Sequence, residues 1–322
     1  MTSTTATFFE LVRPHLPEVE SRMRSGGHHH PDLDAALEQL LASGGKRIRP
    51  TLALLTGGML GADPKRIIIL AAAIEMLHTA TLVHDDLIDG SLVRRGLPTL
   101  NARWTAGATV LTGDYVFARA AQLAAQTGSL PLMENFARTL MTIVSGEITQ
   151  LFRTSHRLDR EEYLARIYAK TASLFELAAE APAMLSGSPP DIVAGMKEFG
   201  YNIGLAFQIV DDVLDFVADP QEFGKPVASD LRQGLVTLPT LCYQERHPDD
   251  PDLQRLLDGG PLEEQALQRL VASIRRSGAV EQAMEEARDL VRLGERGLSG
   301  MPDTPEREAL YDLAEYIIER SL

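Results

Sequence analysis

Two stretches of this chain set aspartates inside hydrocarbon. Asp85-Asp86-Leu87-Ile88-Asp89 follows Ala80–Val83, and Asp211-Asp212-Val213-Leu214-Asp215 follows Ile203–Val210. Thr81 and Gln208 are the polar members of those lead-ins. On an α-helix, positions i and i+4 share a face, and i+1 lies one step round the cylinder. Each copy therefore aims two carboxylates at one spot and leaves a third beside it. Burying such like charges raises their pKa values unless cations neutralise them. Each acidic helix end is therefore expected to be neutralised by cations. Oxygen-only ligands favour a hard divalent ion, and Mg²⁺ shared with a phosphate-bearing substrate meets that demand. A single copy could be a solvated acidic turn; two copies in matching apolar settings argue for a site.

The rest of the chain reads as helix. Apolar residues recur at helical spacing through Phe8–Met23, Leu33–Leu41, Ile48–Leu60, Val110–Ala125, Leu132–Phe152, Tyr163–Leu185 and Ile192–Phe216. Turn chemistry separates them at Gly26-Gly27, Gly44-Gly45, Gly61-Ala62-Asp63-Pro64, Gly187-Ser188-Pro189-Pro190 and Gly259-Gly260-Pro261. Asp63 before Pro64 fits an N-cap followed by a first-turn proline. Alternating β-branched strands are absent, so the expected class is all-α. Ile67–Asp89 and Ile203–Asp215 are apolar on most sides, as central helices are. No composition shift marks a boundary, and one domain over residues 1–322 is expected, its last part an outer layer of shorter amphipathic helices.

A net charge of −14, from 45 acidic and 31 basic residues, argues against nucleic acid as a partner. Cys242 is the single cysteine, which excludes an internal disulfide framework and suits a reducing, cytoplasmic compartment. Met1–Phe9 lacks the basic residues and apolar run of a secretory signal. Glu75, His78 and two threonines interrupt Ile67–Val83, the longest apolar segment, which reads as a core helix and not a membrane span. His28–His30, flanked by glycines, reads as a solvated loop.

A basic set accompanies the acids. In Gly44-Gly45-Lys46-Arg47-Ile48-Arg49-Pro50, Lys46 and Arg49 are expected to share a face just inside a helix start, where the backbone also favours an anion. Arg94-Arg95-Gly96 follows the first acidic motif closely enough to fold back on it. His78 lies about two turns before Asp85 and can hydrogen-bond a phosphate. Lys170-Thr171 and Lys225 are further candidates. Glu75-Met76-Leu77-His78 matches half of a di-iron carboxylate site, but that site needs a second Glu-x-x-His, which the chain lacks.

Taken together, these motifs resemble a known family. His84-Asp85-Asp86-Leu87-Ile88-Asp89 with Arg94-Arg95-Gly96 looks like the first aspartate-rich motif of the trans-type polyprenyl diphosphate synthases, and Phe207–Asp215 is similar to their second. Gly45–Pro50, Gly113-Asp114-Tyr115, Gly146-Glu147 with Gln150, Lys170-Thr171 and Gly224-Lys225-Pro226 fall in the family's order. The resemblance implies an isoprenoid synthase fold, a helical bundle around a central cavity, in a homodimer. It implies that Asp85, Asp86, Asp89, Asp211, Asp212 and Asp215 hold three Mg²⁺ ions on the allylic diphosphate. Lys46, Arg49, His78 and Arg95 would bind isopentenyl diphosphate; Arg94, Lys170 and Lys225 would contact the allylic diphosphate; Thr171 and Gln208 would sit near the reacting carbon. Two positions depart from the pattern: Ala228 stands where glycine is common, and Leu235 where many members carry lysine, with Arg232 a candidate substitute.

Product length follows from the residues before Asp85. In this family bulky side chains four and five positions ahead of the first aspartate plug the product tunnel; here these are Thr81 and Ala80. One helical turn rises about 5.4 Å, roughly one isoprene unit, so the chain can grow toward Leu77 and beyond. Phe117, Met141 and Val144 are the expected floor. The expected product is longer than farnesyl, a long-chain polyprenyl diphosphate released through a transient membrane contact. A geranylgeranyl diphosphate synthase, or a terpene cyclase of the same fold, is the alternative enzyme. A cyclase has no need of Lys46, Arg49 and His78, and a non-catalytic subunit would be expected to lose aspartates that this chain keeps.

Overall fold

Turn residues and apolar periodicity place the elements. The computed structural model describes residues 7–25, 30–42, 44–153, 159–217, 227–260 and 262–319, and among them regular structure is helical apart from one small β-ribbon. The chain divides into two compact units. One comprises Met1–Thr139, Leu177–Lys197 and Gly300–Leu313; the other comprises Leu140–Glu176, Glu198–Ser299 and Ala314–Leu322.

The first unit holds α1 (Thr7–Val12), α2 (Leu16–Arg24), α3 (Pro31–Ala42), α4 (Ile48–Met59), α5 (Pro64–Ile88), strands β1 (Val93–Arg94) and β2 (Leu97–Pro98), and α6 (Ala106–Gln126). The expected single helix over Phe8–Met23 is in fact α1 and α2, because Pro14 cannot extend a helix through its own position. Helix α5 starts as its sequence demands: the Asp63 side chain accepts from the Lys65 amide at 2.9 Å, with Pro64 in the first turn. It packs against α2, α4 and α6. Among the described residues α5 alone is long and apolar enough to cross a membrane, with mean hydropathy 1.7 over its best window, and 72% of that window is buried inside the fold. Its apolar length therefore serves the core.

Past α5 the ribbon turns tightly. Arg95 (φ 51°) and Gly96 (φ 76°) both adopt left-handed backbone, the requirement of a two-residue hairpin turn that keeps the strand twist. Below it, Val83 joins Ala36 and Leu100 in a small buried cluster edged by Leu40 and Trp104, which pins the acidic end of α5.

Helices α7 (Leu130–Leu151), α9 (Ser173–Leu185), α10 (Pro190–Val217) and α16 (Pro305–Glu319) contribute to both units. The second unit adds α8 (Arg160–Ile167), α11 (Ser229–Arg232), α12 (Leu238–Arg246), α13 (Pro251–Leu257), α14 (Glu264–Arg276) and α15 (Ala279–Gly297). Between α8 and α9 the backbone forms a π-helical turn, Tyr168–Ala172, that periodicity does not foretell. Glycines let the neighbours approach this turn: a Cβ on Gly146 would overlap Ala169, and one on Gly204 would lie 2.5 Å from the Ala172 Cα and 2.9 Å from the Phe175 Cβ. Backbone atoms cannot rotate aside as a side chain can. Gly204→Ala should therefore destabilise the protein by about 1–3 kcal/mol through overpacking. Gly107→Ala, where an added Cβ meets nothing within 4 Å, should be neutral or mildly stabilising. Thermal melts of both variants check this; equal midpoints would show that the α10 contact is not close.

Candidate active site

In the first unit, the acidic end of α5 separates its three carboxylates by environment. Asp85 is half-buried, Asp89 is exposed just past the helix end, and Asp86 is buried, its Oδ1 accepting from Arg94 Nε at 2.8 Å. The ribbon thus returns its first arginine to the motif. His84 is held beside Asp85, its Nε2 donating to the Val110 carbonyl at 3.2 Å and lying 3.5 Å from Asp114 Oδ1, with its ring 5.1 Å from that of Phe117. Gly113 makes this fit possible, since a Cβ there would overlap the imidazole.

The basic set gathers in the same unit, with one correction. Helix α4 begins at Ile48, and Arg47, its N-cap, has left-handed backbone (φ 48°). Lys46 therefore lies in the loop, exposed, and does not share a helical face with the buried Arg49. Arg95 folds back so that its guanidinium donates to the Gly44 carbonyl. Arg47 serves structure: it pairs with the buried Glu75 at 2.6 Å and donates to the Leu41 carbonyl at 3.3 Å. This pairing gives Glu75 a role that needs no iron. Half-buried His78 feels the whole set. Burial, followed by the charges of Arg49, Arg95, Arg94 and Arg47, holds its pKa well below the usual imidazole range.

In the second unit, α10 repeats the acidic arrangement. Asp211 and Asp215 are half-buried, whereas Asp212 is 3% exposed. Tyr163 Oη donates to Asp212 Oδ2 at 2.7 Å and Gln208 Nε2 donates to Oδ1 at 2.8 Å. Burial pushes the Asp212 carboxyl up to about 7, and the Gln208 and Tyr163 hydrogen bonds pull the other way. Burial also raises the Tyr163 phenol, with Asp212 adding to it, so the phenol stays a donor. Gln208 Oε1 in turn accepts from Thr171 Oγ1 at 2.7 Å, and Lys170 Nζ donates to Glu147 at 3.0 Å. No signal in the sequence marks Tyr163, whereas Glu147 belongs to the Gly146-Glu147 motif of the family resemblance.

Asp215 ties α10 to the segment that follows: its Oδ1 and Oδ2 accept from the Ser229 and Asp230 amides, each at 3.0 Å. Ala228, at φ 55°, occupies left-handed backbone, which explains why glycine suits that position and implies a cost of roughly 1–2 kcal/mol for alanine. Lys225 lies outside the described residues. Arg232 does not replace the missing lysine, since it binds Glu264 through both terminal nitrogens at 2.6 and 2.9 Å. Leu235 instead lines a cavity of about 310 Å³ with Gln150, Arg153, Arg166, Gln233 and Val236.

The tunnel residues divide. Ala80 and Leu77 are fully buried on α5, and Thr81 is half-buried with its hydroxyl donating to the His78 carbonyl at 2.7 Å. Phe117 is half-buried against His84. Met141 and Val144 are corrected: they are 68% and 42% exposed, on an α7 stripe continued by Ile148 and Leu151, because that spacing turns them outward together. They do not close a floor within this chain.

Among the described residues no group of His, Cys, Asp and Glu side chains is drawn into a preformed metal cage. The donor chemistry nonetheless suits Mg²⁺: the accessible aspartates of each motif offer oxygen only, and Mg²⁺ keeps several waters or substrate oxygens in its shell. Asp86 and Asp212 are the buried members of the expected set, each held on protein partners.

The His78 environment gives a testable sign. A lowered pKa means the ring is neutral at neutral pH. A bound diphosphate adds negative charge, raises that pKa and favours proton uptake as pH falls. Calorimetry of isopentenyl diphosphate binding near pH 6, in buffers of different ionisation enthalpy, should show more proton uptake by wild type than by His78→Gln, converging toward pH 8. Equal uptake at both pH values would remove His78 from the anion site.

Comparison with known proteins agrees with this geometry. Residues 30–274 match the family model described as polyprenyl synthetase. Octaprenyl diphosphate synthase of Escherichia coli is 36% identical over 283 residues, covering 87% of this chain and 88% of the relative. The crystal structure of a decaprenyl diphosphate synthase from Rhodobacter capsulatus superposes with a TM-score of 0.90 at 33% identity, covering 98% of each chain. A polyprenyl synthase from Caulobacter crescentus, complexed with calcium and isoprenyl diphosphate, gives a TM-score of 0.89 at 34% identity over 99% of this chain and 98% of that one. With both acidic motifs, the basic set and the helical architecture in place, the chain belongs to the polyprenyl synthetase family and is a prenyltransferase of the all-α isoprenoid synthase fold.

Proposed function

We propose that the protein condenses isopentenyl diphosphate with an allylic diphosphate and repeats the step to a product longer than farnesyl, a long-chain polyprenyl diphosphate. The observation that carries this reading is the matched pair of acidic motifs, each with its outer aspartates accessible and its middle one buried on a partner. Asp85, Asp89, Asp211 and Asp215 would hold three Mg²⁺ ions, which when bound neutralise charge on the departing diphosphate. Calcium in the Caulobacter enzyme's complex supports a divalent ion in such a site.

The chain's own groups divide the work. Lys46, Arg49, His78 and Arg95 receive isopentenyl diphosphate, and Arg94, Lys170 and Lys225 receive the allylic diphosphate. The allylic C–O bond breaks with its electron pair going to diphosphate, and the isopentenyl double bond attacks the allylic carbon. A proton then leaves to the released diphosphate, so no protein base is required. Thr171 and Gln208 present oxygen near the cationic carbon, and apolar walls exclude water. Ala80 and Thr81 are too small to stop the growing chain, and Leu77 lies one turn deeper. The names of the octaprenyl and decaprenyl relatives favour the same product class.

A cytoplasmic homodimer fits the exposed stripe of Met141, Val144, Ile148 and Leu151, since apolar rows of this kind are expected to be covered by a second copy. Product release by transient membrane contact suits so apolar a product.

Labelled isopentenyl diphosphate, incubated with allylic starters of increasing length and resolved by chromatography, tests the reading. Wild type with Mg²⁺ should give products beyond farnesyl and none in excess chelator, and Asp85→Ala should lose turnover by orders of magnitude while keeping its helical content. Ala80→Phe should shorten products to farnesyl or geranylgeranyl size. An active Ala80→Phe enzyme with unchanged products would sink the long-chain assignment, and full activity in chelator would sink the metal.

A further inference from the structure

A chain of side chains in the second unit ends at Thr171, and its direction is fixed by its far end. Tyr163 is fully buried on α8, two turns before Lys170, and its only polar atom meets Asp212 Oδ2 at 2.7 Å. In its ionised form Asp212 only accepts: it accepts a hydrogen bond from Tyr163 Oη at one oxygen and from the amide nitrogen of Gln208 at the other, at 2.8 Å. With its nitrogen committed, Gln208 presents Oε1 to Thr171, whose hydroxyl donates at 2.7 Å. The Thr171 proton is thereby directed into the protein, and the lone pairs of its oxygen are directed away from Gln208. An amide that flipped would donate to Thr171 and occupy one of those pairs.

We propose that Tyr163 is a positioning residue for the prenyl transfer, and that Asp212 acts as the anchor of this hydrogen-bond chain and not as a metal ligand. Tyr163 holds the carboxylate, the carboxylate sets the amide, and the amide leaves the Thr171 oxygen electron-rich where positive charge develops. This rests on the reading above that Thr171 lies beside the reacting carbon. It assigns different work to neighbouring aspartates: Asp211 and Asp215 to the cation, Asp212 to orientation. Burial supports the division, since Asp212 is 3% exposed whereas Asp211 and Asp215 are half-buried.

Three variants test it: Tyr163→Phe, Asp212→Asn and Asp211→Ala. Removing one hydroxyl that orients a carboxylate should lower kcat about tenfold in Tyr163→Phe. The KM for isopentenyl diphosphate and the Mg²⁺ concentration at half-maximal rate should move by less than about twofold. Asp212→Asn, which permits the flipped amide, should lose at least as much in kcat, and the double variant should be no worse than Asp212→Asn alone because both act through one chain. Mg²⁺-dependent binding of inorganic diphosphate, followed by calorimetry without turnover, should survive in Tyr163→Phe and Asp212→Asn and weaken strongly in Asp211→Ala. A merely structural tyrosine would lower the melting temperature and leave kcat below it intact, and that result overturns the proposal. So does a shifted Mg²⁺ midpoint in Asp212→Asn, which would make Asp212 a ligand. Intact Mg²⁺-dependent diphosphate binding in Asp211→Ala would overturn the metal reading of the second motif, a failure distinct from that of the Tyr163 chain, which is judged by kcat.

Discussion

Taking a carboxylate out of water is the costliest thing this fold does, and much of its local architecture answers that cost. Asp86 and Asp212 sit on helices that are otherwise core, and an unpartnered buried charge there would be heavily penalised. Each is met by a partner from a different segment: Arg94 on the ribbon after α5, and Tyr163 on α8 with Gln208 one turn back on α10. The two solutions differ in kind. A guanidinium neutralises Asp86 outright. Neutral donors solvate Asp212 without cancelling its charge, and its carboxyl is pushed up to about 7. The middle aspartate of each motif is buried, whereas Asp85, Asp211 and Asp215 are half-buried and Asp89 is exposed.

Close backbone approach is the second constraint, and glycine supplies it at the same places. Gly113 admits the His84 ring beside Asp85, and Gly146 and Gly204 admit α7 and α10 to the π-helical turn that carries Lys170 and Thr171. A π turn widens the helix by one residue and shifts the side chains that follow it round the cylinder. Its cost is offset when neighbouring elements fit it closely, as they do here. Backbone irregularity thus falls on residues that chemistry needs, in a chain whose other helices are regular.

The sequence conveyed the helices well, because apolar spacing and Gly/Pro punctuation act locally. It also conveyed the acidic and basic candidates, because spacing on a helix is geometry. It did not convey what depends on a partner far away in the chain. In the run Phe8–Met23 Pro14 and Pro17 hint at the split between α1 and α2, but nothing in Tyr163–Leu185 hints at the π turn. Lys46 was misplaced because the left-handed Arg47 delays the helix start, a backbone choice fixed by the Arg47–Glu75 pair across the fold. Met141 and Val144 were misassigned for another reason: helical periodicity shows that residues share a face, but not which way that face looks. Ala228 shows the converse. The sequence marks it as unusual for the family, and its left-handed φ supplies the physical reason.

The chain carries a net charge of −14, yet its first unit gathers a cluster of cations. Its cations are local and structured: Arg95 is anchored on the Gly44 carbonyl, Arg94 on Asp86, and Arg47 on Glu75. Anchoring an arginine on a carbonyl or a buried carboxylate fixes its position before substrate arrives, so less side-chain entropy is lost on binding. Burial, and then the charges of four surrounding arginines, hold the His78 pKa well below the usual imidazole range. On the proposed reading, a diphosphate bound there would relieve the unfavourable proximity of these like charges.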